Sequence, residues 1–339
     1  MILSILAISL GRGANTQLML AERMVNKTKA RYLTWAGFHY ALVHIAREEK
    51  DHPVPADDLF RCGVQFKKTE SPEEIFGNVK IPGGHFDVAY DCEESHSPDS
   101  SSVKSRYGFR DEERKLNLNA LTVTNDSVFK ELLVVLGADE TTAATIAASS
   151  VDWHDEDDRV SAAPFGEEGV WYESRRQPYQ CKNRPFDQVD ELLLVKGMTL
   201  EIFEKIQPFV TVFPKNAPRL TINFATAFPE VLIALANSMA FATNTDRNDA
   251  QGLVKKLLHD RAGDDGQEAT SDDRQPDFDL AGFNEKERSI FLAMAPYSTR
   301  TSRFIRISVH SGLEASAVRS CVEAVVDRES LNVVAWRRQ

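Results

Sequence analysis

No proline interrupts this chain before Pro53. Over that length apolar residues recur at helical spacing: Leu18, Ala21, Met24 and Val25, then Tyr32, Trp35, Ala36, Tyr40 and Val43. The pattern predicts one helix of about 45 residues, ~65 Å long at 1.5 Å per residue, far beyond the ordinary globular mean. Propensity alone does not hold such a helix in water, so most of its length needs a surface to lie against. Arg23, Lys27, Lys29 and Arg31 occupy its middle, which divides it into two halves of different character. That suits a chain half in a membrane and half packed on a head domain.

The first half begins with the apolar run Met1-Ile-Leu-Ser-Ile-Leu-Ala-Ile-Ser-Leu10, shorter than the ~20 residues of a spanning helix. A signal peptide would carry a basic residue ahead of this run, and none precedes Arg12. A Rossmann strand would use Gly11-Arg-Gly13 as its phosphate turn, but Thr16 stands where the third glycine belongs. The remaining reading is the membrane half of a long stalk helix.

After the stalk the period changes from 3.6 to 2. His85–Cys92 alternates, and so does Lys115–Asn119 after a turn at Asp111–Arg114. Strand character returns only in Arg303–Val309, Ser320–Val326 and Leu331–Trp336. Two separate β domains would each have too little core, so these runs are expected to form one antiparallel sheet split by an insertion.

The insertion reads as helical. Ser127–Gly137 and Glu140–Ala148 are amphipathic, and helices are expected over Asp249–His259 and Asn284–Met294. Val189–Gly197 ends at a C-cap glycine and Thr199 can cap Leu200–Ile206, a helix-hairpin-helix, with a second copy starting at Thr226. The acidic run Asp260–Asp279 is expected to be a loop rather than a site. The fold class is therefore α+β.

Such hairpins often bind DNA phosphates through a two-glycine turn. Val195-Lys-Gly-Met-Thr199 has one glycine, no basic cluster flanks it, and the net charge is -11. A phosphate-backbone partner needs clustered Lys and Arg, so no nucleic acid is expected. With 339 residues, 42% hydrophobic and 27% charged, the chain has the composition of about two ordinary globular domains.

The acidic stretch Asp152-Trp-His-Asp-Glu-Asp-Asp158, with Gly166-Glu-Glu168 after it, requires compensation for its mutual repulsion. Either water solvates the carboxylates, or a hard cation gathers several into one oxygen cage. It is not an EF-hand, because counting from Asp155 puts Val160 where glycine is required. Nor is it a zincin helix, since His154 has no H-E-x-x-H partner. A carboxylate-pair hydrolase has the residue types, but nothing marks one acid as protonated.

Cysteine usage leaves two readings open. Cys62, Cys92, Cys181 and Cys321 form no C-x-x-C pair. In an oxidising compartment Cys62 and Cys92, which flank one β segment, are the expected disulfide; in a reducing one all four are buried thiols.

The order of these motifs resembles one family, the large minor pseudopilin of type II secretion (protein K of the general secretion pathway). That family shows a DExxxLNLN element, matched by Asp111, Glu112 and Leu116–Asn119. A DWxDxDD loop follows at Asp152–Asp158, a GAE…Y element at Gly166–Glu168 and Tyr172, and a PYxxxN turn at Pro178–Asn183. An ELxxVxGM helix entry at Glu191–Met198 and an INxxTA segment at Ile222–Ala227 complete the order.

The resemblance implies a pilin-like long N-terminal helix plus antiparallel sheet, interrupted by an inserted all-α domain with helix-hairpin-helix (SAM-like) units. The expected boundaries are 1–48 for the stalk, 49–120 and 299–339 for the pilin-like domain, and 121–298 for the insertion. It implies assembly rather than catalysis, at the tip of the pseudopilus, with I- and J-type minor pseudopilins as partners. The stalk would sit in the inner membrane as a single pass, with a periplasmic globular domain in which Cys62 and Cys92 pair. Calcium is the implied ion: Asp155, Asp157 and Glu168 match the family motif best, with Asp152 and Asp158 as supporting ligands. The family's basic leader, peptidase cleavage site and first half of the stalk are not matched, which places Met1 inside the stalk or at a truncation.

Overall fold

The computed structural model describes residues 2–51, 59, 71–92, 104–274, 282–314 and 316–338. They fall into two compact units, one within 1–55, 61–110 and 305–339, the other within 56–60 and 111–304.

The first unit is built on helix α1 (Ile2–Asp51). Gly11 and Gly13 lie inside this helix rather than in a strand-to-helix turn, so the Rossmann alternative has no phosphate loop. Helix α2 (Pro72–Phe76) starts at a capping box between Ser71 and Glu74. The sheet contains β1 (Val79–Ile81), β2 (Gly84–Cys92), β3 (Lys104–Tyr107), β4 (Phe304–Leu313), β5 (Ser316–Asp327) and β6 (Val333–Arg338). Its order is β1-β2-β4-β5-β6, with β3 paired to β2. The register joins the two ends of the sequence: Phe86 opposes Ser311, Asp87 opposes His310 and Val88 opposes Val309.

One face of that sheet is apolar because the strands alternate. Ile305, Ile307 and Val309 are buried while Arg306, Ser308 and His310 are not. Phe86, Val88, Val322, Ala324 and Val326 join them against Phe38, Ala41 and Ile45 of α1. At Gly37 the helix lies so close that a Cβ would fall 2.6 Å from Val309 Cγ1 and 2.8 Å from Phe86 Cδ2. Gly37→Ala is therefore expected to cost roughly 1–2 kcal/mol net in urea unfolding, the overpacking penalty exceeding alanine's helix advantage. Stability at or above wild type would show that the helix can back away from the sheet.

The second unit is mainly helical: α3 (Asp126–Val135), α4 (Glu140–His154), α5 (Leu200–Ile206), α6 (Pro229–Ala242), α7 (Arg247–Arg261) and α8 (Glu285–Met294). Helix α6 is its centre, burying Val231, Leu232, Leu235 and Ala236 among α3, α7 and α8. The starts follow from the sequence. Asp139 caps α4, Asp246 caps α7, and Asn284 with Glu287 forms a capping box on α8. Gly137 takes φ +95 just past α3, as its place in the sequence predicts.

Three expectations are corrected. Lys115–Asn119 does not join the antiparallel sheet. Only Leu116–Asn117 is extended, paired in parallel with Val210–Thr211, and Leu118–Ala120 is a 3-10 turn. The alternation misleads because Asn117 and Asn119 are buried as well as the leucines. Asn119 donates to the carbonyls of Phe186 at 3.0 Å and Val212 at 2.9 Å and accepts from Phe186 N at 2.7 Å. Its side chain thus replaces missing backbone partners.

The first half of the expected hairpin is a 3-10 turn, Val189–Leu194. Gly197 at φ +87 then leads into α5, where Thr199 Oγ1 accepts from Ile202 N. The inserted unit is also not all-α, since Ile222–Asn223 pairs in parallel with Ser298–Thr299. The acidic run after α7 is a loop over its described part, as expected, and its own side chains hold it. Asp272 accepts from the backbone N–H of Asp264 and Asp265, and Arg261 pairs with Glu268. The expected Cys62–Cys92 pair falls outside the described residues at Cys62.

Candidate metal centre

Helix α4 ends by burying Asp152 completely. The chain leaves the helix at Asp155, in extended conformation, and loops back over Asp152. That carboxylate holds both legs of the loop: Ser161 N donates to Oδ1 at 2.8 Å and Glu167 N to Oδ2 at 2.6 Å. Gly166 is required by space, since a Cβ there would lie 2.2 Å from Asp152 Oδ2. The result carries Glu168 up to the end of α4. One carboxylate oxygen each from Asp152, Asp155 and Glu168 then lies within 4.8 Å of the others.

Beyond Asp152, the protein does little to compensate these carboxylates. Asp155 Oδ1 and both carboxylate oxygens of Glu168 are buried without a hydrogen-bond partner. Burial, then the charges of Asp152 and Asp157, pushes the Asp155 carboxyl up to about 6, against a single opposing bond from Ser161 Oγ. Glu168 is pushed up to about 7 by burial and then by Asp152, Asp155, Asp158 and Asp157. Among the described residues this is the one group of carboxylates, imidazoles or thiols whose donor atoms converge. A hard cation would lower all these strains together, and the donor set of carboxylates and carbonyls is the chemistry that Ca²⁺ takes.

Two of the sequence-derived candidates sit to one side. Asp157 Oδ1 accepts from Arg159 N at 2.8 Å, and Asp158 Oδ1 accepts from Asn183 Nδ2 at 2.9 Å. Both are exposed and act on the convergent trio through their charge. Asn183 was not among the candidates. Its amide also bonds the Asp157 carbonyl at 3.1 Å while its own Oδ1 is buried and unpartnered, which makes it a further oxygen at the loop. Its place in the PYxxxN turn was the available signal.

The loop rests on an aromatic floor. Tyr172 is fully buried, 5.4 Å from the rings of both Trp153 and Tyr179. Lys196 ties the far leg down through Glu167 at 3.2 Å. Cys181 donates its thiol to the Asp152 carbonyl at 3.4 Å. Burial, then the charge of Glu168, pushes that thiol up to about 12, so at neutral pH it is neither a thiolate ligand nor a nucleophile. The converging oxygens have the chemistry that a hard cation takes.

Comparison with known proteins gives a consistent answer over this region. Residues 114–215 match the family model described as type II secretion system (T2SS), protein K. The putative type II secretion system protein K of Escherichia coli (strain K12) is 30% identical over 168 residues, 47% of this chain and 49% of its own. Type II secretion system protein K of Pectobacterium carotovorum subsp. carotovorum is 30% identical over 129 residues, 38% of each chain. The chain thus spans about half the length, or less, of the curated relatives it matches. A chain in the crystal structure of the GspK-GspI-GspJ complex from the enterotoxigenic Escherichia coli type 2 secretion system shares the fold. Its TM-score is 0.61 at 16% identity, covering 94% of this chain and 99% of that one. The loop with its three converging carboxylates lies inside the matched segment, so the part of the chain that carries the candidate site is the part similar to type II secretion system protein K.

Proposed function

We propose that this protein is a minor pseudopilin that works by assembly, at the tip of a type II secretion pseudopilus, alongside I- and J-type partners. The observation that carries this reading is the family match over residues 114–215 joined to a whole-chain fold shared with a chain of the GspK-GspI-GspJ complex. The long helix supports it. One side of α1 covers the sheet through Phe38, Ala41 and Ile45, while Leu18, Met24, Val25, Tyr32 and Val43 are exposed. An apolar stripe of that kind suits packing against neighbouring helices. No helix among the described residues is long and apolar enough to cross a membrane. The inner-membrane anchor and periplasmic head domain therefore belong to the proposal through the family alone. In this reading calcium bound by Asp152, Asp155 and Glu168, with Asp157 and Asp158 adding charge, neutralises the loop and fixes the head domain.

The test is co-purification of the chain with I- and J-type pseudopilins from the same organism. A stable complex is expected, and Met24→Lys with Val25→Lys should weaken it without changing the melting of the head domain. Failure of the wild-type chain to associate with either partner would overturn the reading.

A further inference from the structure

The strands of the first unit carry a second set of metal-ligating side chains, chemically unlike the acidic loop. On the sheet face opposite α1, His85 and Asp87 of β2 share one side because they are two residues apart. His310 of β4 stands directly opposite Asp87, and Gly312 directly opposite His85. The neighbouring strand β5 contributes Cys321. These residues line one open pocket of about 500 Å³, together with Ser320 and Arg319.

Gly312 has a specific part in this. A Cβ at that position would lie 2.8 Å from His85 Cε1 and 3.0 Å from its Nε2. The imidazole of His85 therefore lies over the glycine, in space that any other residue's Cβ would take. That brings a ring nitrogen from β2 toward the strand carrying His310, whose side chain is exposed. Residues on directly opposite or diagonal positions of paired strands are within reach of long side chains. Asp87 is already oriented, accepting from Asn78 N at 2.7 Å through Oδ1, which leaves its second oxygen for a ligand.

We propose that His85, His310 and Cys321, with Asp87, form a binding site for a borderline transition-metal cation of the zinc class. Two imidazoles, a thiolate and a carboxylate are the donors such ions select, whereas Ca²⁺ takes oxygen alone. The donor atoms line the pocket without converging, so the proposed site requires the exposed His310 side chain to rotate toward the others. The open pocket supplies the entry path and water for any remaining position. Binding as a thiolate releases the Cys321 thiol proton to solvent.

Cobalt titration of the full chain, freed of metal and then saturated with calcium to occupy the acidic loop, tests this. One Co²⁺ per chain is expected, with a sulfur-to-cobalt charge-transfer band that zinc abolishes. Cys321→Ser should remove the band. His310→Ala should weaken binding by more than the roughly 10–100-fold that outer-shell changes cause. Glu168→Gln should leave the band unchanged, which separates this site from the acidic loop. If Cys321→Ser fails to fold by circular dichroism, His310→Ala and His85→Gln decide the matter in its place. No band in the wild type, or a band that survives these substitutions, overturns the proposal. So does binding of inorganic phosphate without cobalt, lost in Arg319→Ala, which would make the pocket an anion site.

Discussion

Replacing Asp152 by alanine is expected to lower the stability of the second unit by about 3–5 kcal/mol. The side chain is fully buried and accepts two backbone N–H bonds, from Ser161 at 2.8 Å and Glu167 at 2.6 Å. Hydrogen bonds to a charged acceptor contribute about 1.5–3 kcal/mol each, and both donors would be left inside without partners. Asp152→Asn should fall in between, since an amide keeps one acceptor oxygen and turns its NH₂ toward the other N–H. The loss is a large part of the 5–15 kcal/mol typical of a domain. Chemical denaturation measures it, and a deficit under about 1 kcal/mol would show that water replaces the carboxylate without strain.

Calcium should raise the melting temperature, and the rise should grow with pH. At a free concentration of 100 times Kd, binding to the native state alone contributes about 2.7 kcal/mol, or roughly 5–10 °C for a unit of this size. The pH dependence follows from the unpartnered carboxyls. Asp155 and Glu168 titrate at about 6 and about 7, above their ordinary 3.8 and 4.5. Between pH 4 and 7 the metal-free native state thus holds more protons than the unfolded chain. Stability without calcium therefore falls as pH rises through that window.

Calcium competes with the same protons, so its effect is largest near pH 8 and fades below pH 6. The double variant Asp155→Asn, Glu168→Gln should lose both the calcium effect and the pH slope. It should also melt higher than metal-free wild type at pH 8, because the mutual repulsion is gone. Superimposable wild-type melts with calcium and with chelator would return the loop to ordinary solvation.

What the sequence made legible was whatever depends on residues near one another in the chain. Asp139, Asp246 and Asn284 announce their helices because a cap acts on N–H groups two or three residues on. Gly137 marks its helix end by the left-handed backbone it permits. The acidic loop was legible as a crowd of like charges at Asp152–Asp158 and Glu168, and so was its demand for compensation.

Tertiary structure decided which members of each pattern act. Asp152, Asp155 and Glu168 converge while Asp157 and Asp158 do not, because Asp152 anchors the returning leg and Gly166 alone fits against it. The Leu116–Asn119 alternation reads as a half-exposed strand, yet both asparagines turn inward to bond the carbonyls of Pro214, Phe186 and Val212. Those carbonyls lie far along the chain, and no local period encodes them. The sheet shows the same division. Alternation in Phe304–Leu313 fixes which side of the strand is apolar, but only pairing with Gly84–Cys92 sets His85 over Gly312 and Asp87 beside His310. A period is local and survives in the sequence; a register is set by whole faces packing together, and it exists only in the folded chain.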